Sequence, residues 1–354
     1  MATARTEPRR VEFLTPDTPA GVLIAFAACA VVIVLAGVRL SGVADRLADR
    51  TGLGEAVVGA VLLGAATSLS GLTTSVAAAW NGLPQLAVSN AAGGIAGQTL
   101  FLAVADLAYR RANLEHAAAS LENVIQGTVL CGCLSLVVLG AAFPGYAVLG
   151  VHPASGALIV FYVLGLHVTR KAQTEPSWRP EHTLETELDE PEADEGGPST
   201  ARLWAEFGGL ALITAAAGFA VSRAGEGAID VFSLSESVTG AFVTALVTSL
   251  PELVTTVAAV RRGALTLAVG GIIGGNAFDV LFIAASDAAY REGPIYGAIT
   301  DAQVFVIGLS LLMTTVLLMG LLRRERQGFA GVGFETVLLI GIYGVGAWAL
   351  IASG

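Results

Sequence analysis

Charge is what this chain has least of. Of its 354 residues, 14% are charged and 54% are apolar, where a soluble globular domain carries about 25% charged residues. That imbalance excludes a water-soluble domain and implies a polytopic membrane protein. Lysine is nearly missing, with Lys171 the single lysine among nineteen basic residues. Cysteine is scarce too. Cys29, Cys131 and Cys133 all fall in apolar runs, which excludes a disulfide framework or a zinc site. No cleaved leader is evident, because residues 1–19 are polar and the apolar run from Ala20 is long enough to span a bilayer.

What is present is a succession of long apolar runs. With about 20 residues needed per span, ten helices are expected near 20–40, 55–79, 84–108, 120–143, 146–169, 203–222, 236–260, 265–289, 300–321 and 332–352. The fourth and fifth are joined by a short turn at Phe143-Pro144-Gly145. Placing the N-terminus outside puts fourteen basic residues in cytoplasmic loops and five outside, so the positive-inside rule predicts both termini outside. Residues 170–202 form the one long linker, acidic through Glu181, Glu185, Glu187, Asp189, Glu190, Glu192, Asp194 and Glu195. It is too polar to pack a core and reads as a disordered connection between two halves.

The two halves are copies. A shift of 181 residues aligns 55–110 with 236–291 without a gap, and 26 of the 56 positions are identical. Thr67-Ser68-Leu69 falls on Thr248-Ser249-Leu250, Gly93-Gly94 on Gly274-Gly275, and Asp106, Tyr109 and Arg110 on Asp287, Tyr290 and Arg291. Five spans per copy is an odd number, so the second copy enters the membrane in the opposite orientation. Inverted repeats with Gly- or Pro-interrupted helices in matching places are the mark of a secondary transporter. The division is therefore a polar segment 1–19, a first repeat 20–169, the linker 170–202 and a second repeat 203–354.

Polar residues at membrane depth point to the site. Glu252, Asn276 and Asp279 lie inside long apolar segments, beside Pro251 and the pairs Gly270-Gly271 and Gly274-Gly275. An ionisable group there costs a few kcal/mol or more and signals function. The freed backbone carbonyls are tolerated only where they line a cavity. Asp106 and Asp287 each precede an Arg by four residues, the spacing of a structural ion pair. Glu55 and Glu236 open their helices, where an acid suits the positive dipole end. His116, His152, His167 and His182 lie near helix ends or loops.

At Val247-Thr248-Ser249-Leu250-Pro251-Glu252-Leu253 and Gly270-Gly271-Ile272-Ile273-Gly274-Gly275-Asn276-Ala277-Phe278-Asp279 the chain resembles the cation/calcium exchanger superfamily, particularly its prokaryotic sodium/calcium exchangers. The resemblance extends to the ten-helix duplicated layout. It implies a cation site formed by Glu252, Thr248, Ser249, Asn276 and Asp279. It also implies a packed core of the second, third, seventh and eighth spans across which the first and sixth slide. The first repeat departs from the pattern: Ser70-Gly71 stands where the family has Pro-Glu, Ile95 where it has Asn, and Gln98 where it has Asn or Asp. Thr67, Ser68, Asn90, Gln98 and Thr99 remain there as neutral oxygen donors. Thr67, Ser68, Thr248 and Ser249 equally suit helix packing.

The expectation is thus an all-α integral membrane protein, not an enzyme, exchanging cations by alternating access across the cell membrane. Calcium is the leading substrate, against sodium or protons, and no cofactor is implied. Inorganic cations and membrane lipid are the expected partners, without nucleic acid; the oligomeric state is open. Two alternatives stand: a monovalent cation/proton exchanger using Glu252, and a transport-dead relative serving as sensor or assembly partner. An acid elsewhere facing Glu252 would separate them, and Glu122, Asn123 and Gln126 form the nearest polar cluster in sequence.

Overall fold

The computed structural model describes residues 15–51, 64–109, 113–176, 198–262, 264–325 and 333–353. Apart from one isolated β-bridge, its regular structure is helical. In the first repeat these are α1 (Pro19–Thr51), α2 (Leu69–Trp80), α3 (Pro84–Tyr109), the short α4 (Leu114–Ala117), α5 (Leu121–Ala142) and α6 (Pro153–Thr174). In the second they are α7 (Thr200–Phe232), α8 (Glu236–Thr248), α9 (Leu250–Arg262), α10 (Leu265–Asp279), α11 (Leu281–Ala289), α12 (Asp301–Arg323) and α13 (Phe334–Ser353). Eight described helical stretches are long and apolar enough to span a membrane, and the bent pair α8–α9 makes a ninth. With the stretch of which α2 is the described part, this is the expected ten-helix, twice-repeated membrane fold. Glu55, Arg110 and most of the acidic linker lie outside the described residues.

Local chemistry sets the helix ends. Ser120, Ser199 and Ser235 each accept a hydrogen bond from the backbone N–H three residues on, capping α5, α7 and α8. The fifth span starts later than the expected residue 146. Leu149 and Gly150 take positive φ, Val148 pairs with Val151, and Pro153 opens the helix behind the His152 cap. The first and sixth spans run on well past their apolar windows, to Thr51 and Phe232.

Small residues let the helices cross. In lipid there is little hydrophobic drive between helices, so close backbone approach and interhelical hydrogen bonds hold a bundle. A Cβ added at Gly37 of α1 would strike the Pro251 ring, and one at Gly218 of α7 would strike the Ser70 carbonyl. Those pairs are themselves 181 residues apart, so each long outer helix crosses the broken helix of the opposite repeat at an equivalent glycine. At Gly93 and Gly240, α3 and α8 approach so closely that a side chain would meet backbone. The largest buried apolar cluster joins α3, α5 and α11 through Leu86, Ile95, Leu130, Leu134 and Ile283.

The expected ion pair at Asp287 is absent. The Arg291 guanidinium instead lies over the Trp80 ring, 3.8 Å from its centroid. The Asp287 carboxylate accepts from Ile295 N, His152 N and Ser155 Oγ, each at 2.7 Å. Asp106 does the same at the other end of the bundle, accepting from Leu114 N and Thr336 Oγ1 at 2.8 Å and from Gly333 N. Each donor again matches its counterpart at the 181-residue offset. These aspartates are structural, but they cap backbone rather than pair with arginine. Asp287→Ala would orphan three buried donors at about 1–3 kcal/mol each, whereas Arg291→Ala forfeits a ring contact worth about 1 kcal/mol. Thermal unfolding in detergent should rank Asp287→Ala far below Arg291→Ala, and equal midpoints would restore the ion-pair reading.

Candidate functional site

The site begins with two interrupted helices. Both repeats break at the equivalent serine: residues 64–67 are helical, Ser68 is a turn and α2 follows, while α8 ends at Thr248, Ser249 is the turn and α9 follows. In the second repeat the two helices meet at 48°. Pro251, which lacks an N–H, stands in the first turn after the break. A π-helical stretch, Thr239–Thr244, precedes it in α8, a distortion that often accompanies functional sites.

Between the two breaks lies a small cavity, lined from α2, α3, α8, α9, α10 and α11. Glu252 and Asp279 both face it, at 4% and 2% exposure. Ser68, Asn90, Gln98, Thr248 and Ser249 supply neutral oxygens, and Gly71, Gly94 and Phe282 complete the wall. The Gln98 amide donates to Asp279 Oδ2 at 2.7 Å and to Ser249 Oγ at 3.2 Å. Gln98 Oε1 and Glu252 Oε2 are buried without a hydrogen-bond partner, as is the nearby Asn276 Oδ1, while Ser68 Oγ stands within hydrogen-bond reach of the Asp279 carboxylate. Buried polar atoms are normally paired. These unpaired oxygens and the two carboxylates, with no basic side chain among the cavity's described lining residues, make an acceptor cage that a cation or a proton would complete.

Of the eight residues singled out in the sequence, six line this cavity: Glu252, Asp279, Thr248, Ser249, Ser68 and Gln98. Thr67 stands behind it, donating to Gly64 O at 3.0 Å and within hydrogen-bond reach of Glu252. Asn276 flanks it, its amide crossing to Thr99 Oγ1 at 3.1 Å and Ile95 O at 3.4 Å. The Thr248 carbonyl accepts from Ser70 Oγ at 3.0 Å. Asn90 lines the cavity and is tied to Gly71 O, Ser75 Oγ and Thr244 Oγ1.

Phe282 went unread in the sequence, where it is one more apolar residue. A Cβ at Gly71 would lie 2.9 Å from the edge of its ring, so an aromatic ring abuts the position at which the first repeat departs from Pro-Glu. Glu122, Asn123 and Gln126 do not supply a replacement acid. Asn123 and Gln126 point their side chains at the glycine face of α10, at Gly270 and Gly274, and none of the three lines the cavity.

The sequence profile of the family described as "Sodium/calcium exchanger protein" matches residues 21–169 and again residues 203–352. The inner membrane protein YrbG of Escherichia coli (strain K12) is 36% identical over 114 residues. That match spans about a third of either chain, 32% of this one and 33% of YrbG. Among solved structures, the sodium-calcium exchanger NCX_Mj superposes with a TM-score of 0.56 at 19% identity, over 92% of this chain and 96% of its own. The H+/Ca2+ exchanger CAX superposes with a TM-score of 0.64 at 13% identity, over 94% and 86%. At such identities the superpositions bear on the fold alone.

If the cage holds a cation, a ligand at a hundred times its Kd stabilises the folded protein by about 2.7 kcal/mol. Calcium added to purified protein should raise its thermal midpoint, and Glu252→Gln or Asp279→Asn should remove that rise. An equal rise in both variants would place the ion elsewhere.

Proposed function

The chain belongs to the sodium/calcium exchanger protein family, and from that premise we propose that it is a secondary antiporter exchanging calcium for sodium or protons by alternating access. The observation that carries this is the cage: two buried carboxylates with neutral oxygens in and beside one cavity between the repeats, several of the oxygens unpaired. Calcium takes six to eight oxygen ligands. Glu252 and Asp279 would balance its charge, and Ser68, Gln98, Asn276, Thr248 and Ser249 would contribute neutral oxygens. The partners are inorganic cations and the surrounding lipid, in the cell membrane, with both termini outside. The functional division remains two repeats, 20–169 and 203–354, joined by the linker 170–202.

Movement is assigned to α1 and α7. They pack along one another through Val22, Phe26, Ile33, Val221 and Ala224. They cross the broken helices at Gly37 and Gly218, next to the residues that hold the ion. Sliding this pair would open one end of the cavity at a time.

A second reading has its own observation. Gly71 and Phe282 leave the first repeat without an acid in the cavity, so both negative charges come from the second repeat. A site of that kind serves a monovalent cation with a proton retained on one carboxyl.

Calcium uptake into sodium-loaded proteoliposomes tests the first reading. Uptake should follow the sodium gradient, or a proton gradient in a parallel arm, and fall to background in Glu252→Gln. At an effective dielectric of about 20, losing one charge at ~4 Å costs roughly 4 kcal/mol, about a thousandfold in affinity. No calcium flux from folded protein, together with sodium-driven proton movement in the same vesicles, would leave the monovalent reading in its place.

A further inference from the structure

The two capping aspartates hold equivalent scaffolds, but their surroundings differ in one respect. At the Asp287 end, the residue after the cap donor Ile295 is Tyr296, and the residue before Ser155 is Ala154. The ring of Tyr296 stacks on His152 with centroids 4.5 Å apart. At the Asp106 end the equivalent positions are Glu115 and Glu335. Both are fully buried, and the scaffold does not require either, since the opposite end is built without them.

Their polar atoms are unsatisfied. Both carboxylate oxygens of Glu115, Oε2 of Glu335 and Oδ1 of Asn113 are buried without a hydrogen-bond partner. Glu335 Oε1 accepts from Asn113 Nδ2. Glu115 lies within hydrogen-bond reach of Glu335, yet two ionised carboxylates offer only acceptors and no hydrogen between them. Asp106 is already engaged by three donors.

The groups facing Glu115 have been placed on each packed element. From α3 comes Asp106. Glu335 comes from α13, which Gly320 of α12 admits by contact with the Glu335 stem. After α12, Arg324 donates to the His116 carbonyl at 3.1 Å and accepts from His116 Nδ1 through its own carbonyl at 2.7 Å. Arg323 is directed towards Glu325 at 3.9 Å. The described part of α10 at this end presents no titratable side chain. Among the described residues, Asn113 is the hydrogen-bond donor found for the pair, and no basic side chain donates to it.

We propose that Glu115 and Glu335 share one bound proton beside the Asp106 carboxyl, and that this proton latches the first turn of α13 onto the short helix α4. The latch exists at one end of the bundle only, the end the positive-inside count assigns to the cytoplasm. It is separate from the ion cage and independent of which ions are exchanged. Burial, then the like charges of Glu335 and Asp106, hold the Glu115 carboxyl well above the ordinary carboxylate range. A raised acid binds its proton more tightly folded than unfolded, so the stability it lends is complete at low pH and is lost as pH rises through the folded value. Alkalinisation would therefore open this end of the bundle by placing a further charge among buried ones.

Infrared difference spectroscopy of the purified full chain tests this through the protonated-carboxyl band. The wild type should hold a band at neutral pH that disappears on alkalinisation, and Glu115→Gln should lack that component. Glu335→Gln should retain it with a midpoint about one pH unit or more lower, because a like charge is gone. A Glu115→Gln spectrum identical to wild type would overturn the proposal. If Glu115→Gln fails to fold, Glu335→Gln decides alone, and an unchanged midpoint overturns it equally.

Discussion

Two carboxylates buried in apolar surroundings, with too few donors to satisfy them, set the terms for the rest of this molecule. Glu252 and Asp279 would be prohibitively expensive in a closed helical bundle. They are tolerable because the helices on either side are interrupted and the cavity keeps oxygens in reserve. The breaks at Ser68 and Ser249 create that cavity. The glycines at 37, 93, 218 and 240 bring the backbones close enough to enclose it. Gln98 spends its amide on Asp279 and leaves its carbonyl oxygen facing the same space.

Duplication supplied the frame and left the chemistry free to diverge. The capping contacts made by Asp106 and Asp287 agree donor by donor at one constant offset, and so do the helix crossings at Gly37 and Gly218. The cage acids both come from the second repeat, and the carboxyl pair Glu115–Glu335 sits at one end while a tyrosine and an alanine occupy the other.

Much of the fold could be read from the sequence because membrane helices advertise themselves. The apolar windows and the repeat at 181 residues located the helical stretches, but not the ends of the first and sixth spans, which run about ten residues further, to Thr51 and Phe232. The start of α6 was missed as well, where the positive-φ pair Leu149-Gly150 delays the helix without altering hydropathy. The cage was legible where a costly residue marked it, at Glu252 and Asp279. It was illegible where the wall is apolar, as at Phe282, since one phenylalanine in a hydrophobic run carries no signal. Asp287 shows a different limit. Its spacing to Arg291 suggested an ion pair, but three donors from distant segments reach it first, and only the tertiary arrangement places them there.

The two glycine crossings differ in how they are lubricated. Where α7 meets α2, Thr74 Oγ1 lies 2.8 Å from both the Gly218 and the Ser70 carbonyls, a hydrogen-bonded clasp between the helices. Where α1 meets α9, the equivalent Thr255 turns back to Pro251 and Glu252 carbonyls of its own helix, and Gly37 rests on a saturated ring. One crossing is fastened and the other is greased. If the two helices slide as proposed, the α7–α2 crossing has an interhelical hydrogen bond to break and the α1–α9 crossing, at this threonine, has none.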